Sequence, residues 1–246
     1  MKQVLITGAN KGIGFETARQ LLQRDCHVYL GCRDLQKGRA AVEQLKTEGL
    51  NNVEAVELDV TDEISVKNAR EYIGRQTHVL DVLINNAGIN GGQPPYTPLA
   101  ATADQYIDAF GTNIIGVARV TQTFIDLLKS SDAPRIVNVS SSVGSISLQS
   151  NPEWPAYNYA KYAVYAVSKA ALNMYTVQLA YELRNTAFKV NAVCPGYTKT
   201  DFTGYMGGEL SDAGQRILKY ALIGEDGPTG KFFSEEVNPA TGEIPW

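Results

Sequence analysis

Cysteine and histidine are scarce in this 246-residue sequence. The three cysteines, Cys26, Cys32 and Cys194, are odd in number, and no pair has the spacing of a metal site or a redox couple. That argues against a disulfide framework and fits a reducing compartment. The two histidines, His27 and His78, belong to no cluster with metal-ligand spacing, so no metal is expected. Each reads as a surface or strand-end residue. Long hydrophobic runs are also missing: nothing approaches the roughly 20 apolar residues that cross a bilayer. The opening MKQVLITGAN has only Val4, Leu5 and Ile6 in a row before a glycine turn, so a secretory leader is not expected. A soluble cytoplasmic protein without a membrane partner is the expectation. Positive charge is short as well. A net charge of −4 gives no support to a nucleic-acid partner. It still allows an anionic cofactor, because a few local cations and a helix end can hold a phosphate.

What is present is ordinary globular composition, 44% hydrophobic and 20% charged. Short β-branched runs at residues 4–6, 28–30, 53–58, 79–84, 136–139 and 190–193 read as strands buried on both faces. Longer segments between them, 12–24, 34–49, 62–76, 103–129 and 165–184, read as helices, with Thr61 a plausible N-cap for the third. Strand–helix alternation implies right-handed crossovers and an α/β, doubly wound Rossmann-type sheet. No repeat, low-complexity tract or linker divides the chain, so residues 1–246 are expected to form one domain. The loops 90–98, with two glycines and three prolines, and 147–155, with two prolines, are either rims of a site or plain surface connections.

The segment VLITGANKGIGFETARQLL reads as strand, glycine turn, helix. Gly8, Gly12 and Gly14 permit positive φ and close backbone approach. The helix that follows offers free N–H groups and the positive end of its dipole to an anion, and a diphosphate fits. The end of the second strand bears on the nucleotide type. An acid there would receive ribose hydroxyls, whereas an arginine suits a 2′-phosphate. Arg33 can grip phosphate with its forked donors, and Lys11 can add a second cation. Asp34 falls near the place of a ribose-binding acid, but it also suits the start of the next helix. NADP(H) is the expected cofactor. Asp59 and Val60, at the end of the third strand, are candidates to meet the adenine, although Asp59 also suits a cap. Asn86, Ala87 and Gly88, after the fourth strand, would let backbone lie against the cofactor.

Tyr165 and Lys169 stand four apart in a helical segment and share a face. A free tyrosine, with a pKa of about 10, is a poor base near neutrality. A neighbouring ammonium favours the phenolate and suits Tyr165 to proton transfer. Tyr157 and Lys161 have the same spacing, but Tyr157 follows Trp154 and Pro155 and lacks a clean helix. Ser140, Ser141 and Ser142 follow a strand, where a serine either donates to a carbonyl oxygen or makes a turn.

Taken together, Thr7-Gly8-Ala9-Asn10-Lys11-Gly12-Ile13-Gly14, Asn85-Asn86-Ala87-Gly88, Tyr165-Ala166-Val167-Ser168-Lys169 and Pro195-Gly196 resemble the classical short-chain dehydrogenase/reductase family, in its motif order and over nearly the whole chain. ANKGIG, CRD and PGYTKTD most resemble its carbonyl-reductase branch. The resemblance implies a seven-stranded parallel sheet, with residues 231–233 within the last strand. It implies Tyr165 as acid/base, with Lys169 lowering its pKa and holding the ribose. Ser141 matches the substrate-orienting serine, since Gly144 follows three residues later, and Asn113 matches the anchor of a proton-relay water. Cofactor contacts are implied at Gly8, Asn10, Lys11, Gly12, Ile13, Gly14, Pro195, Gly196, Thr198 and Thr200. The expected activity is reversible, NADPH-dependent reduction of aldehyde or ketone carbonyls. Residues 90–98, 147–159 and 202–206 would line the pocket, and Trp154, Tyr157, Phe202, Tyr205 and Met206 suggest an apolar or aromatic substrate unless they pack into the core. A catalytically silent NADP-binding sensor is the alternative from another class, but it could dispense with residues that are all present here. A sugar-nucleotide epimerase would carry more chain after Thr200. The stretch between Ser141 and Tyr165 is longer than in most members of the family and shorter than the large insert of monomeric carbonyl reductases. It leaves monomer and homo-oligomer both open.

Overall fold

The computed structural model describes residues 1–158 and 161–246. The first half alternates strictly: β1 (Gln3–Thr7), α1 (Gly12–Leu22), β2 (His27–Cys32), α2 (Leu35–Thr47), β3 (Val53–Glu57), α3 (Glu63–Gln76) and β4 (Val82–Asn85). Then come α4 (Ala103–Phe110), a π-helical segment (Gly111–Gly116), α5 (Val117–Lys129), β5 (Arg135–Val139), α6 (Ile146–Gln149), α7 (Ala163–Glu182), β6 (Lys189–Val193), α8 (Leu210–Ala221) and β7 (Phe232–Phe233). Among the described residues the strands form one seven-stranded sheet in the order β3-β2-β1-β4-β5-β6-β7. Each neighbouring pair is parallel.

The central strands β1 and β4 are buried on both faces because they are apolar at odd and even positions alike. On β1, Val4 and Ile6 face one way and Leu5 the other, and all three are fully buried. Val4 and Ile6 join Leu21, Leu45, Ile217 and Leu218 in one core layer. Leu5 joins Ile73, Phe124, Leu128 and Val190 in the other. Strand order reverses between β1, which pairs β2 on one side, and β4, which pairs it on the other. Chain connections leave that point in opposite directions, so a crevice opens beyond the carboxyl ends of β1 and β4.

Three local expectations are corrected. The helix expected over residues 103–129 is interrupted by the π-helical turn Gly111–Gly116, one extra residue per turn that apolar periodicity does not show. The cap of α3 is Asp62, whose Oδ1 accepts from the Ile64 and Ser65 N–H groups. Thr61 instead donates its hydroxyl to Asp59, at 2.7 Å. The strand expected at 79–84 begins at Val82; ahead of it, the Asp81 side chain accepts from the Gln3 N–H and the Ser131 hydroxyl. Asp34 caps α2, in line with one of its two readings.

The capping assignment has a direct test. Asp62→Ala should lower stability by about 1 kcal/mol, and Thr61→Ala should stay within about 0.5 kcal/mol, in urea unfolding. The reverse ranking would return the cap to Thr61.

Candidate active site

The glycine turn between β1 and α1 is held against the exit of β4. Thr7 Oγ1 accepts from the N–H groups of Asn86 and Ala87, both at 3.0 Å. The Asn86 amide in turn donates to the carbonyls of Thr7 and Gly8, at 2.9 and 3.0 Å. Asn86 is thus a strut between two loops, and its side-chain amide is committed to protein. Gly8 (φ 63°) and Gly12 (φ 58°) adopt the left-handed backbone that favours glycine. A Cβ on Gly8 would stand 2.9 Å from the Ala87 Cα, so the two loops touch.

Helix α1 opens from this turn with no side-chain cap and no acid in its first turn. Its neighbours differ: α2, α3 and α4 are capped by Asp34, Asp62 and Thr102. Free N–H groups at the start of an uncapped helix form a cradle for an anion. Asp34 is engaged elsewhere, accepting from the Gln36 and Lys37 N–H groups at 3.1 Å and from Lys37 Nζ at 3.3 Å. Arg33 beside it is exposed. The corner at the end of β2 therefore presents a cation to solvent beside an acid already in use. Asp59 accepts from the Thr61 N–H at 2.9 Å, within its own turn. Val60 is buried, against Gly116 of the π-helical turn.

Tyr165 and Lys169 lie on the first turns of α7, with Lys169 Nζ 5.6 Å from the centre of the Tyr165 ring. Lys169 is 3% exposed and donates to the Val139 carbonyl at 2.7 Å, on the last residue of β5. Burial pulls its pKa down to about 8. Burial also pushes the Tyr165 phenol above the ordinary tyrosine range, the nearby Cys194 adds to that, and Ser141 pulls the other way. Removal from water thus favours the neutral phenol. The lowering comes from Ser141 and not, as expected, from Lys169.

Of the three consecutive serines, Ser140 donates to Asn173 Oδ1 at 2.6 Å and Ser142 is buried. Ser141 alone keeps partial exposure, and it is the one that acts on Tyr165. Gly144 sets this approach: a Cβ there would stand 2.8 Å from the Lys169 backbone, so the turn Ser142–Gly144 lies flat on α7. Asn113 faces inward from the π-helical turn and is fully buried. Its Oδ1 accepts from the Ile89 N–H at 2.9 Å, and its Nδ2 donates to the Ile89 carbonyl and to Ser168 Oγ. A Cβ on Gly88 would stand 3.4 Å from Asn113 Oδ1 and 3.6 Å from Lys169 Nζ, so Gly88, Asn113 and Lys169 converge.

After β6, Gly196 (φ 92°) turns the chain, and the Pro195 carbonyl accepts from Arg216 at 2.7 Å. Thr198 is buried, and Thr200 reaches the glycine turn, with its Cγ2 3.5 Å from the place of a Cβ on Gly12. Lys11 pairs with Asp201 rather than standing free. The Phe202 ring packs on Tyr165, with centroids 5.2 Å apart. Trp154 is buried, as in the core reading of the aromatics. Tyr159, within the expected rim, lies outside the described residues. The other tyrosine–lysine pair is separate: Lys161 Nζ sits 3.9 Å from the Tyr157 ring centre and donates to Gln149. Asp201, Arg216 and the Val139 carbonyl were not singled out in the sequence. Each acts through a partner distant in the chain, and no local pattern marks it. A groove of about 610 Å³ between α2 and α3, over β3, contains none of these residues.

Residues 2–209 match the family model described as short chain dehydrogenase. Salutaridine reductase of Papaver bracteatum is 33% identical over 298 residues, covering 95% of this chain and 94% of that protein. (+)-Neomenthol dehydrogenase of Arabidopsis thaliana is 35% identical over 290 residues, covering 96% of each. Among solved structures, the NADPH-bound carbonyl reductase from chicken fatty liver superposes with a TM-score of 0.85 at 29% identity, covering 100% of this chain and 99% of that one.

The contact beneath Ser141 can be tested without touching a reacting group. Gly144→Ala should cost about 1–3 kcal/mol through overpacking against α7, read from thermal or chemical unfolding. Wild-type stability would show that the turn has room the structure does not give it.

Proposed function

Because this chain belongs to the short-chain dehydrogenase/reductase family of oxidoreductases, we propose that it is an NADPH-dependent reductase of aldehyde and ketone carbonyls, with apolar or aromatic substrates. The observation that carries this reading is the convergence of Ser141, Tyr165 and Lys169 beside the uncapped start of α1. NADP(H) fits this site: an anion cradle without a competing cap, an exposed Arg33, and an Asp34 engaged in capping α2. When bound, it supplies the hydride.

The chain's own residues do the rest. Gly8, Asn10, Gly12, Ile13 and Gly14 would hold the diphosphate through backbone N–H groups and the helix end. Arg33, with Lys11 as a second cation, would hold the 2′-phosphate, and Asp59 and Val60 the adenine. Ala87 and Gly88 would give close backbone approach, with Asn86 keeping the turn in place. Pro195, Gly196, Thr198 and Thr200 would face the carboxamide. Ser141 and Tyr165 receive the carbonyl oxygen, and the phenol gives it a proton. Lys169 would hold the ribose and return a proton to Tyr165 through a path that Asn113 anchors. Reduction asks for a protonated phenol at the start, which is the state that burial favours. Phe202, Tyr205 and Met206 are exposed at the rim and supply apolar surface for the substrate.

Oxidation of NADPH should be followed against a panel of aromatic and aliphatic aldehydes, ketones and quinones. Tyr165→Phe should lose turnover by about a hundred- to ten-thousandfold while binding NADPH as the wild type does. Tyr157→Phe should turn over normally. Full activity in Tyr165→Phe would sink the assignment, and tight NADPH binding with no turnover on the whole panel would favour a binding role.

Cofactor choice has its own check. Arg33→Ala should weaken NADPH binding by about tenfold or more, the size of a lost charge-assisted contact, and leave NADH binding unchanged in fluorescence titration. Equal losses for both nucleotides would remove Arg33 from 2′-phosphate recognition.

A further inference from the structure

One short turn touches both halves of the site. The 3₁₀ turn Asp201–Thr203 follows β6 and is fastened at its base, with the Thr200 N–H donating to Thr203 Oγ1 at 3.1 Å and the Thr203 hydroxyl to the Thr198 carbonyl at 2.6 Å. Its first residue, Asp201, takes the ammonium of Lys11, 190 residues earlier in the glycine turn. Its second, Phe202, packs on the ring of Tyr165. Asp201 also accepts from the Tyr205 hydroxyl. Tyr205 has φ 61°, left-handed backbone uncommon for a non-glycine residue, so the return of the chain is shaped around that carboxylate. Thr200 already lies against Gly12.

We propose that Asp201 is a positioning residue: with Lys11 it forms a clasp that closes residues 200–206 over the cofactor cradle and seats Phe202 against Tyr165. The clasp rests on the nucleotide-dependent reductase reading above. Its geometry ties the strand-β1 side of the cleft, where a cofactor phosphate would lie, to the wall that meets the substrate. Lys11 has three N–H donors, so it can serve Asp201 and a phosphate oxygen together. The two side chains are 68% and 50% exposed, which makes the bridge weak and screened by salt. Such a bridge delays cofactor release and still opens in every cycle, whereas a buried one would hold the loop shut.

The test is nucleotide release, followed by stopped-flow loss of bound-nicotinamide fluorescence. NADH is the main probe, because without a 2′-phosphate it isolates the clasp from the other expected role of Lys11. Asp201→Asn and Lys11→Met should each speed NADH release about two- to fivefold, the size that an exposed ion pair supports. The double variant should release no faster than the faster single one, since one interaction is lost once. The gap between wild type and Asp201→Asn should close as salt is raised. A purely structural role for Asp201 would give no such salt dependence. Release from Asp201→Asn at the wild-type rate, or effects that add in the double variant, would overturn the clasp while leaving the reductase reading intact. Wild-type protein that binds neither NADH nor NADPH would overturn that reading and the clasp with it.

Discussion

An amine buried at the carboxyl edge of a sheet must be satisfied there, and the site is arranged around that requirement. Lys169 reaches the Val139 carbonyl at 2.7 Å and is 3% exposed. Several features have to hold for this contact to form. Strand β5 must end at Val139, α7 must cross beneath it, and Gly144 must carry no side chain, because the turn that bears Ser141 lies directly on the Lys169 backbone. A buried polar ladder fixes the same crossing: Asn85 donates to Asn138 at 2.9 Å and Asn138 to Thr176 at 2.9 Å, joining β4, β5 and α7. An unpaired polar group in such a place costs far more than a made bond contributes. The ladder therefore selects one register of helix against sheet, and Tyr165 and Ser141 meet as a result.

The same dependence explains what could be read from the sequence. Strands were visible because burial on both faces leaves apolar runs, such as Val4–Ile6 of β1 and Val28–Leu30 of β2. Tyr165 and Lys169 were visible because helical spacing is a local property. The π-helical turn was not, since it places Asn113 inward through a change of winding that leaves composition untouched. Ser141 could be separated from Ser140 in the sequence only through the family pattern. In the structure the distinction is physical: Ser140 is consumed by Asn173. The pairing of Lys11 with Asp201 was illegible for the simplest reason, that charge partners so far apart in the chain leave no signature. Thr61 and Asp62 are both good caps, and only the final turn geometry decides between them.

Cofactor selection illustrates how a residue's second employment can decide its first. Asp34 sits where an acid could receive ribose hydroxyls, yet its carboxylate is taken by two backbone N–H groups and by Lys37. Those contacts hold it below the ordinary carboxylate range, with the Lys37 N–H the largest cause. The cap occupies Oδ1, which leaves a ribose hydroxyl only Oδ2, already paired with Lys37. Arg33, one residue earlier, has no such duty in capping α2. The local chemistry thus separates two adjacent charged residues, one turned to structure and one turned to solvent.

The protonation preference of the pair follows from the same desolvation. A tyrosine beside a lysine is commonly taken as a ready base, but here both groups are driven toward their neutral forms, Tyr165 upward and Lys169 down to about 8. Desolvation acts on each separately, and the pair shares no strong ion-pair contact to oppose it, the ammonium lying 5.6 Å from the ring centre. A neutral phenol has its proton in place to give. Abstracting one from an alcohol would need the phenolate, hence added positive charge, which the oxidised nicotinamide carries and the reduced one does not. Desolvation of the half-buried Tyr165 favours the protonated phenol, the form that can give a proton.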